Sequence, residues 1–169
     1  DDDTLSDGDE VTLHGTDPLE ADSDDDGIDD VDELFTYFTL PLDDDSDDDG
    51  IKDGAEVHTL LTEPLIFDSD FDGLSDGLEI GLLEPQGLHT DLSVFLADGD
   101  STSTTDPTLN DSDLDLIPDG AEDVNLDGVN DGDQPDVRFD ETDPRSADTD
   151  GDGLSDSDEG AFLHRDSDG

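Results

Sequence analysis

The sequence predicts a repeat array with short helical turns, and three features of the chain support this prediction. The 169 residues include 56 acidic residues but only four Lys and Arg residues, which gives a net charge of −52. Only 28% of the residues are apolar and 5% are aromatic, and Cys, Met and Trp are missing. The acidic residues also recur in a fixed pattern. A single large hydrophobic core is therefore not expected.

Low hydrophobicity combined with high net charge is also the signature of intrinsic disorder. Four positive side chains provide no basic patch for nucleic acid or for an anionic membrane surface. No apolar stretch approaches the roughly 20 residues that span a bilayer. We therefore expect neither a nucleic-acid partner nor membrane insertion. Intrinsic disorder is the main alternative to a folded repeat array.

A twelve-residue acidic pattern recurs along the chain. It reads Asp-x-Asp-x-Asp-Gly-(Ile or Leu)-x-Asp-x-x-Glu; we number its positions 1 to 12 and name each loop after its first Asp. The loops begin at Asp22, Asp45, Asp68, Asp111, Asp123 and Asp148. The first three are evenly spaced in sequence, and a disordered acidic tail has no such period. The regular spacing favours a folded array.

A Thr-x-Pro spacer keeps register with the loops, since its Pro lies four residues before position 1. Proline holds φ near −65° and biases the preceding residue toward extended geometry, so each spacer is expected to end one repeat and direct the chain into the next loop. One or two helical turns are expected to begin at position 9. The apolar residues between position 12 and Thr predict a small contact cluster in each repeat. The five spacers begin at Thr16, Thr39, Thr62, Thr105 and Thr142.

The residue types and spacing within the loop predict a calcium site. Side-chain oxygens at positions 1, 3, 5 and 12, with Gly at 6 for the sharp turn and a backbone carbonyl at 7, are the ligands of an EF-hand-type loop. The short Asp side chain ties its carboxylate to the turning backbone, whereas Glu at position 12 has the reach to close the shell. A shell of six to eight oxygens suits Ca²⁺ better than Mg²⁺. The expected cofactor is calcium, with several ions per chain.

Each candidate metal ligand supplies a side-chain oxygen, or the carbonyl of position 7, in one copy of the pattern. The Asp123 loop is the weakest internal copy because it has Asn at position 3 and Gln134 at position 12, and the Asp111 loop departs from the pattern with Leu116 at position 6 and Pro118 at position 8. The candidates are Asp1, Asp3, Asp7, Glu10, Asp22, Asp24, Asp26, Ile28, Asp30, Glu33, Asp45, Asp47, Asp49, Ile51, Asp53, Glu56, Asp68, Asp70, Asp72, Leu74, Asp76, Glu79, Asp111, Asp113, Asp115, Ile117, Asp119, Glu122, Asp123, Asn125, Asp127, Val129, Asp131, Asp148, Asp150, Asp152, Leu154, Asp156, Glu159, Asp166 and Asp168.

Repulsion between the carboxylates makes the ion necessary for folding. Five carboxylates in one loop form ten like-charge pairs, and each close pair costs up to ~4 kcal/mol at an effective dielectric of 20. A whole domain is stable by only ~5–15 kcal/mol. Folding and calcium binding are therefore predicted to be one equilibrium.

The pattern differs from an EF-hand in two ways, since the apolar residue occupies position 7 and position 9 is Asp in every loop. In these features it resembles the thrombospondin type 3 repeat, in the Asp-rich, cysteine-free form of bacterial surface and secreted proteins. The resemblance covers about residues 1–80 and 105–169. It implies an irregular, calcium-stabilised and elongated array, in which the chain wraps around a row of calcium ions with little regular secondary structure. It also implies a secreted or cell-surface location.

The period predicts three regions: calcium-binding repeats at 1–80, an insertion at 81–104 and further repeats at 105–169. In the insertion we expect a packed excursion over residues 81–97, the most apolar stretch, followed by a loose loop over 98–105. Both ends of the chain are incomplete copies of the pattern, as in a slice from a longer array. The two ends would allow a head-to-tail self-association that shares calcium between copies.

The sequence favours a non-enzymatic structural segment that acts as a stalk, spacer or filament subunit. Paired carboxylates occur in glycosidases, but here every pair belongs to a repeated loop. The four His residues fall at unrelated positions of the repeat, so no zinc site is expected. Two alternatives stay open: a flexible polypeptide that buffers calcium or nucleates mineral, and an adhesive module that uses the 81–104 insertion.

Overall fold

The computed structural model describes residues 4–129 and 141–159, with no side-chain description for Glu159. Within these residues the regular structure consists of short helical turns, and no strand occurs. This confirms the predicted scarcity of regular secondary structure. The α-helical turns span Asp7–Asp9, Asp30–Asp32, Asp53–Ala55, Asp76–Glu79, Asp119–Glu122 and Asp156–Glu159.

Every one of these turns begins at position 9 of a repeat, as the sequence predicts. The residue at position 8 is extended, with φ −73° and ψ 141° at Asp29 and φ −74° and ψ 138° at Lys52. The chain then enters the helix with an acidic residue in the first turn, where the helix dipole favours negative charge. Each helical turn thus carries the chain from position 9 to the Glu at position 12.

In three repeats the α-turn widens into a π-helical turn, over Glu10–His14, Glu33–Tyr37 and Glu56–Leu60. The residue after each π-turn has a left-handed backbone, with φ 66° at Phe38 and 65° at Leu61. Its N–H donates to the carbonyl of the Glu that opens the π-turn. The chain therefore ends each helix sharply, and the next residue is the buried Thr of the spacer.

The buried apolar residues are few, and most of them occupy position 7. Ile28, Ile51, Leu74 and Ile117 are buried at this position, and Leu78 is the fifth buried apolar residue of the described chain. The predicted apolar clusters between position 12 and Thr are wrong for most of their members. The exposed members are Val11, Leu13, Phe35, Phe38, Leu61 and Leu83. Carboxylates and threonines occupy the buried positions, so these apolar side chains are left at the surface.

The chain forms two compact units. The first combines the described residues of Asp1–Phe67 with Glu84–Leu96, and the second combines those of Asp68–Leu83 with Ala97–Gly169. The insertion is thus shared between the units. Its middle part contacts the Asp45 loop, and its last part contacts the Asp123 loop. The division by repeats at 1–80, 81–104 and 105–169 stays a prediction.

In the first unit the insertion is held by polar contacts. Asp44, fully buried, accepts hydrogen bonds from the N–H groups of Leu88 and His89 and lies 3.2 Å from Lys52 Nζ. Burial opposes ionisation of Asp44, but these donors outweigh it and its pKa lies below the ordinary value. Leu88 is 89% exposed and Leu92 is 72% exposed. The expected packed excursion is therefore anchored by hydrogen bonds and not by its apolar side chains.

In the second unit residues 98–105 are tied to neighbouring loops. The N–H of Gly99 donates to the Asp127 carbonyl at 2.7 Å, and the Ser103 hydroxyl donates to the Gly128 carbonyl. The N–H of Thr105 donates to the Glu79 carbonyl at 2.9 Å. The prediction of a loose loop over this stretch is wrong, because composition alone does not show which backbone groups find partners.

Candidate metal centre

The Asp at position 1 closes the turn of each loop. Its Oδ2 accepts the N–H of position 6, at 3.0 Å from Gly27 in the Asp22 loop and 3.0 Å from Gly50 in the Asp45 loop. The same bond recurs in the other four loops, from Gly73, Leu116, Gly128 and Gly153. One carboxylate oxygen thus shapes the backbone. The second oxygen is buried without a hydrogen-bond partner in Asp22, Asp45 and Asp111, whereas in Asp68, Asp123 and Asp148 it also accepts a backbone N–H.

Positions 3 and 5 continue this arrangement through short side-chain turns. Asp24 Oδ1 accepts the N–H of Asp26 at 3.2 Å, and Asp26 Oδ1 accepts the N–H of Ile28 at 2.7 Å. The other loops repeat both bonds, with one exception. In the Asp123 loop the N–H of position 5 does not donate to the side chain of Asn125 at position 3. Consecutive carboxylates are therefore oriented by the backbone before any ion is considered.

Glu at position 12 is oriented by the spacer that follows it. The hydroxyls of Thr39 and Thr62 donate to Oε1 of Glu33 and Glu56, each at 3.1 Å. In the second unit Thr105 donates to Glu79 at 2.9 Å and Thr142 donates to Glu122 at 2.7 Å. Thr142 follows Glu122 by 20 residues, so the Asp123 loop lies between them in sequence. The spacer Thr thus fixes one oxygen of Glu and leaves the other available.

The Asp at position 9 is held by the residue at position 2. Asp30 accepts from both the N–H and the hydroxyl of Ser23, each at 2.8 Å. The Ser46–Asp53, Ser69–Asp76 and Thr149–Asp156 pairs repeat this double contact. The hydroxyl of position 2 also accepts the N–H of the middle spacer residue, as in Asp17 to Ser23 at 2.9 Å. Position 9 therefore links spacer, loop and helix.

Several buried carboxylate oxygens have no hydrogen-bond partner, and most of them belong to positions 1, 3 and 12. In the Asp22 loop one carboxylate oxygen from each of Asp22, Asp24 and Asp26 lies within 4.8 Å of the others. The Asp45, Asp47 and Asp49 carboxylates form a matching group. The unpartnered oxygens of these positions include Asp22 Oδ1, Asp24 Oδ2, Glu33 Oε2, Asp45 Oδ1, Glu56 Oε2, Asp70 Oδ2, Glu79 Oε2, Asp111 Oδ1, Asp113 Oδ2 and Glu122 Oε2. Converging, desolvated acceptor oxygens fit a hard cation such as Ca²⁺.

Burial and mutual repulsion disfavour the ionised form of these groups in the absence of an ion. Burial, followed by the charges of Asp47 and Asp49, raises the pKa of Glu56 to about 10. Burial and the charges of Asp72 and Asp70 likewise raise the pKa of Glu79 to about 9. A cation at the loop would remove both penalties, since it supplies the missing positive charge and the missing partner.

Neighbouring repeats contact each other through positions 5 and 10. In the first unit Asp26 Oδ2 accepts the N–H of Gly54 at 3.1 Å, and carboxylate oxygens of Asp26, Glu33 and Asp53 lie within 4.8 Å of one another. A Cβ atom at Gly54 would clash with the Asp26 carbonyl group. In the second unit Asp72 accepts from the Gly120 N–H at 3.0 Å. A position-5 carboxylate thus belongs both to its own loop and to the contact with the next repeat.

The less regular loops differ from one another. The Asp111 loop keeps the same hydrogen bonds although Leu116 replaces Gly, and Leu116 adopts φ 86° to do so. In the Asp148 loop Asp150 and Asp152 are exposed, and Leu154 at position 7 is 52% exposed. The carbonyl ligand predicted at position 7 of each loop stays a prediction. Asp1, Asp3, Asp131, Asp166, Asp168 and the Glu159 side chain lie outside the described residues.

Sequence analysis missed three kinds of supporting residue. They are the spacer Thr that donates to position 12, the Ser or Thr at position 2 that holds position 9, and the Gly at position 10 that admits the neighbouring repeat. Each had a visible signal, because Thr begins all five spacers, Ser or Thr fills position 2 in five of six loops, and Gly recurs at 54, 77 and 120. Asp44, which anchors the insertion, had no signal outside the structure.

Two of the described histidines, His58 and His89, have different partners. His89 Nδ1 lies 3.0 Å from Asp44 Oδ1, and the ring of His58 contacts that of Tyr37 edge to face at 6.5 Å. In the part of the chain that the structure describes, no helix has the length and apolar character needed to cross a membrane.

Comparison with known proteins bears on these loops. No curated protein and no solved structure matches the chain. The family model described as "Bacterial TSP3 repeat" matches residues 5–21, 45–59 and 148–161. These stretches include the whole of the Asp45 loop and of the Asp148 loop, and the match indicates a calcium-binding structural repeat. Three stretches of this chain are therefore similar to the bacterial TSP3 repeat, which confirms the resemblance predicted from the acidic loops and their spacers.

Proposed function

We propose that this chain is a calcium-stabilised, non-enzymatic structural segment of a secreted or cell-surface protein, extended as a stalk or spacer or assembled head to tail as a filament subunit. The observation that carries the proposal is the set of buried, unpartnered carboxylate oxygens of positions 1, 3 and 12, repeated from loop to loop. Such groups are costly unless an ion fills the loop. A repeated structural ion is a means of folding a chain that lacks a large apolar core.

The extracellular location rests on calcium supply and on the family. TSP3 repeats occur in extracellular proteins. Extracellular calcium modules work with dissociation constants of about 10⁻⁴–10⁻³ M, so loops of moderate affinity would stay filled there. Elongation rests on the repeat pattern, since consecutive units that contact mainly their neighbours form linear arrays.

In the flexible-buffer alternative, the same carboxylates would bind calcium without a folded structure. A buffering polypeptide needs carboxylates but no ordered partners for them. The paired contacts Thr62–Glu56 and Ser46–Asp53 support a folded loop instead, because they orient each carboxylate individually. The contacts of residues 88–91 with Asp44, Asp45 and Asp48 support a structural part for the insertion over an adhesive one.

Small-angle X-ray scattering with and without calcium tests the proposal. Scaling relations give a radius of gyration of about 15 Å for a 169-residue globule and about 43 Å for the unfolded chain. We expect an intermediate value in millimolar calcium and a clear increase after chelation, whereas magnesium at the same concentration should not restore compaction. A radius that chelation leaves unchanged would favour the flexible buffer. Only monomers by electron microscopy in millimolar calcium would remove the filament version.

A further inference from the structure

The Asp123 loop has fewer carboxylates of its own than its neighbours. The Asp22 loop presents acidic side chains at positions 1, 3, 5 and 12, but the Asp123 loop has Asn125 at position 3 and Gln at position 12. Asn125 is exposed, and only Asp123 and Asp127 of the described loop are acidic ligand candidates. Two carboxylates are a weak basis for a calcium site.

The backbone of this loop is nevertheless built like that of the stronger loops. Asp123 Oδ2 accepts the N–H of Gly128 at 2.8 Å, and Asp127 Oδ1 accepts the N–H of Val129 at 2.9 Å. Asp123 is itself buried, with 6% of its surface exposed. Its other oxygen, Oδ1, accepts the N–H of Leu126 at 2.7 Å. Residues 123–129 therefore keep these backbone hydrogen bonds of the other loops, although the sequence lacks carboxylates at positions 3 and 12.

The end of the insertion places another carboxylate against this loop. Asp98 lies in the second compact unit together with the Asp123 loop and is 95% buried. Its Oδ1 accepts the N–H of Asp100 at 2.7 Å, whereas its Oδ2 is buried without a hydrogen-bond partner. The carboxylate packs on Gly128, where a Cβ atom would lie 2.8 Å from Asp98 Cγ. Burial raises the Asp98 pKa, and the charges of Asp100, Asp123 and Asp127 add to this effect.

Backbone contacts on both sides hold Asp98 in this place. Its N–H donates to the Leu82 carbonyl at 2.8 Å, and the next N–H, of Gly99, donates to the Asp127 carbonyl at 2.7 Å. Ser103 reaches the Gly128 carbonyl from the same segment. Asp98 is therefore fixed against the Asp123 loop, with one buried carboxylate oxygen that accepts no hydrogen bond. A cation would supply the missing partner of this oxygen.

We propose that Asp98 is a calcium ligand of the Asp123 loop, supplied by the insertion in place of the carboxylates that this loop lacks. The inference rests on the proposed calcium-binding function. It gives the last part of the insertion a specific task, which is to complete a site that the repeat pattern leaves incomplete. The ion would then link the insertion to the loop, in addition to the backbone bonds already present.

Asp98→Asn is the direct test because Asn keeps the Oδ1 acceptor for the Asp100 N–H while it replaces Oδ2. The matched control is Asp100→Asn, which makes the same charge change two residues away on an exposed side chain. Residue-resolved hydrogen exchange at the amides of 126–129 is followed during calcium titration of the full chain. The amides of Gly50 and Ile51 in the Asp45 loop report on an unaffected site.

We expect Asp98→Asn to raise the calcium midpoint at 126–129 by at least about tenfold, the lower range for disturbing a metal's surroundings. Asp100→Asn should leave that midpoint within about twofold, and neither variant should move the Asp45 loop. Equal shifts for both variants would overturn the inference, since local charge would then explain the effect. Calcium-dependent protection at the Asp45 loop but none at 126–129 would also overturn it while the proposed function stands. Protection at neither loop would overturn both.

Discussion

The Thr62 hydroxyl donates a 3.1 Å hydrogen bond to Oε1 of Glu56, and both side chains are buried. Thr62 lies in the spacer, and Glu56 occupies position 12 of the Asp45 loop. The bond leaves Glu56 Oε2 buried and without a partner. Spacer and loop are thus one functional unit, in which the spacer orients the residue that would close the calcium shell.

The Thr62→Val substitution should therefore weaken calcium binding without changing a proposed ligand. Valine keeps the shape and removes the hydroxyl, so Glu56 loses its orienting donor. We expect the calcium midpoint of the Asp45 loop to rise by about tenfold, as for other partners of metal ligands. Hydrogen exchange at Gly50 and Ile51 measures it. Thr36→Val is the control, because the Thr36 hydroxyl bonds only to the exposed Asp32 side chain. An equal effect of the control would contradict the prediction.

Glu79→Gln tests the position-12 carboxylate itself. The change removes the charge and one oxygen of a side chain that is 1% exposed, with little change in size. We expect a larger loss than for Thr62→Val, that is, more than about tenfold in the calcium midpoint of the Asp68 loop. Calcium titration followed by hydrogen exchange at Gly73 and Leu74 measures it.

The comparison for Glu79→Gln is Glu84→Gln. Glu84 is exposed and lies outside the repeat pattern, but its substitution makes the same change in net charge. We expect no resolved shift at the Asp68 loop. If both variants behaved alike, bulk charge and not ligation would govern binding, and the flexible-buffer alternative would gain support.

Gly54→Ala should loosen the contact between the Asp22 and Asp45 repeats. The new methyl group would collide with the Asp26 carbonyl group, whose carbon is 3.0 Å from the Cβ position. Overpacking of this kind costs about 1–3 kcal/mol. Thermal unfolding in saturating calcium should show a lower midpoint. Gly8→Ala at the same repeat position meets only Ser6 Oγ at 3.9 Å, so it should be neutral or slightly stabilising. A drop for Gly8→Ala as large as for Gly54→Ala would point to helix geometry and not to the repeat contact.

The calcium-free protein should fold better in acid than in base. The pKa values of Glu33 and Glu122 rise to about 8 and that of Glu56 to about 10, chiefly through burial. A raised pKa in the folded state stabilises that state below the ordinary Glu value of about 4.3, and the contribution is lost as the pH rises through the folded-state pKa. Protons thus take the place of calcium, and the folded state should weaken steadily between pH 5 and pH 8.

Scattering of calcium-stripped protein at pH 5 and pH 8 measures this effect. We expect a smaller radius of gyration at pH 5, above the sequence pI of about 4.1. In saturating calcium the difference should disappear, and the calcium midpoint should be higher at pH 5 because protons compete for the same oxygens. A calcium-free radius that is the same at both values would show that buried carboxylates do not control folding.

The sequence by itself determined the repeat, the acidic residues that would bind an ion and the start of each described helical turn. Position 9 begins a turn in each copy in which the structure describes this position, because an extended position 8 and a carboxylate in the first turn are both local features. The alternation of Asp with backbone N–H groups in the loop is also local, so a spacing of two residues suffices to predict it. The hydrogen bonds of the loop are kept even where Leu116 replaces Gly, although Leu116 must then adopt an unfavourable left-handed backbone conformation.

Only the tertiary structure decided which groups support the ligands and where the insertion goes. Thr62 and Glu56 are six residues apart, but Asp98 and Gly128 are separated by 30, and Asp44 meets Leu88 across 44 residues. Such contacts depend on the path of the chain in space, and neither the spacing of the repeats nor the composition predicts that path. For the same reason the prediction of apolar clusters was wrong, since Phe35 and Leu61 are of residue types that are usually buried. The π-turn leaves both at the surface because the carboxylates with their threonines occupy the buried side.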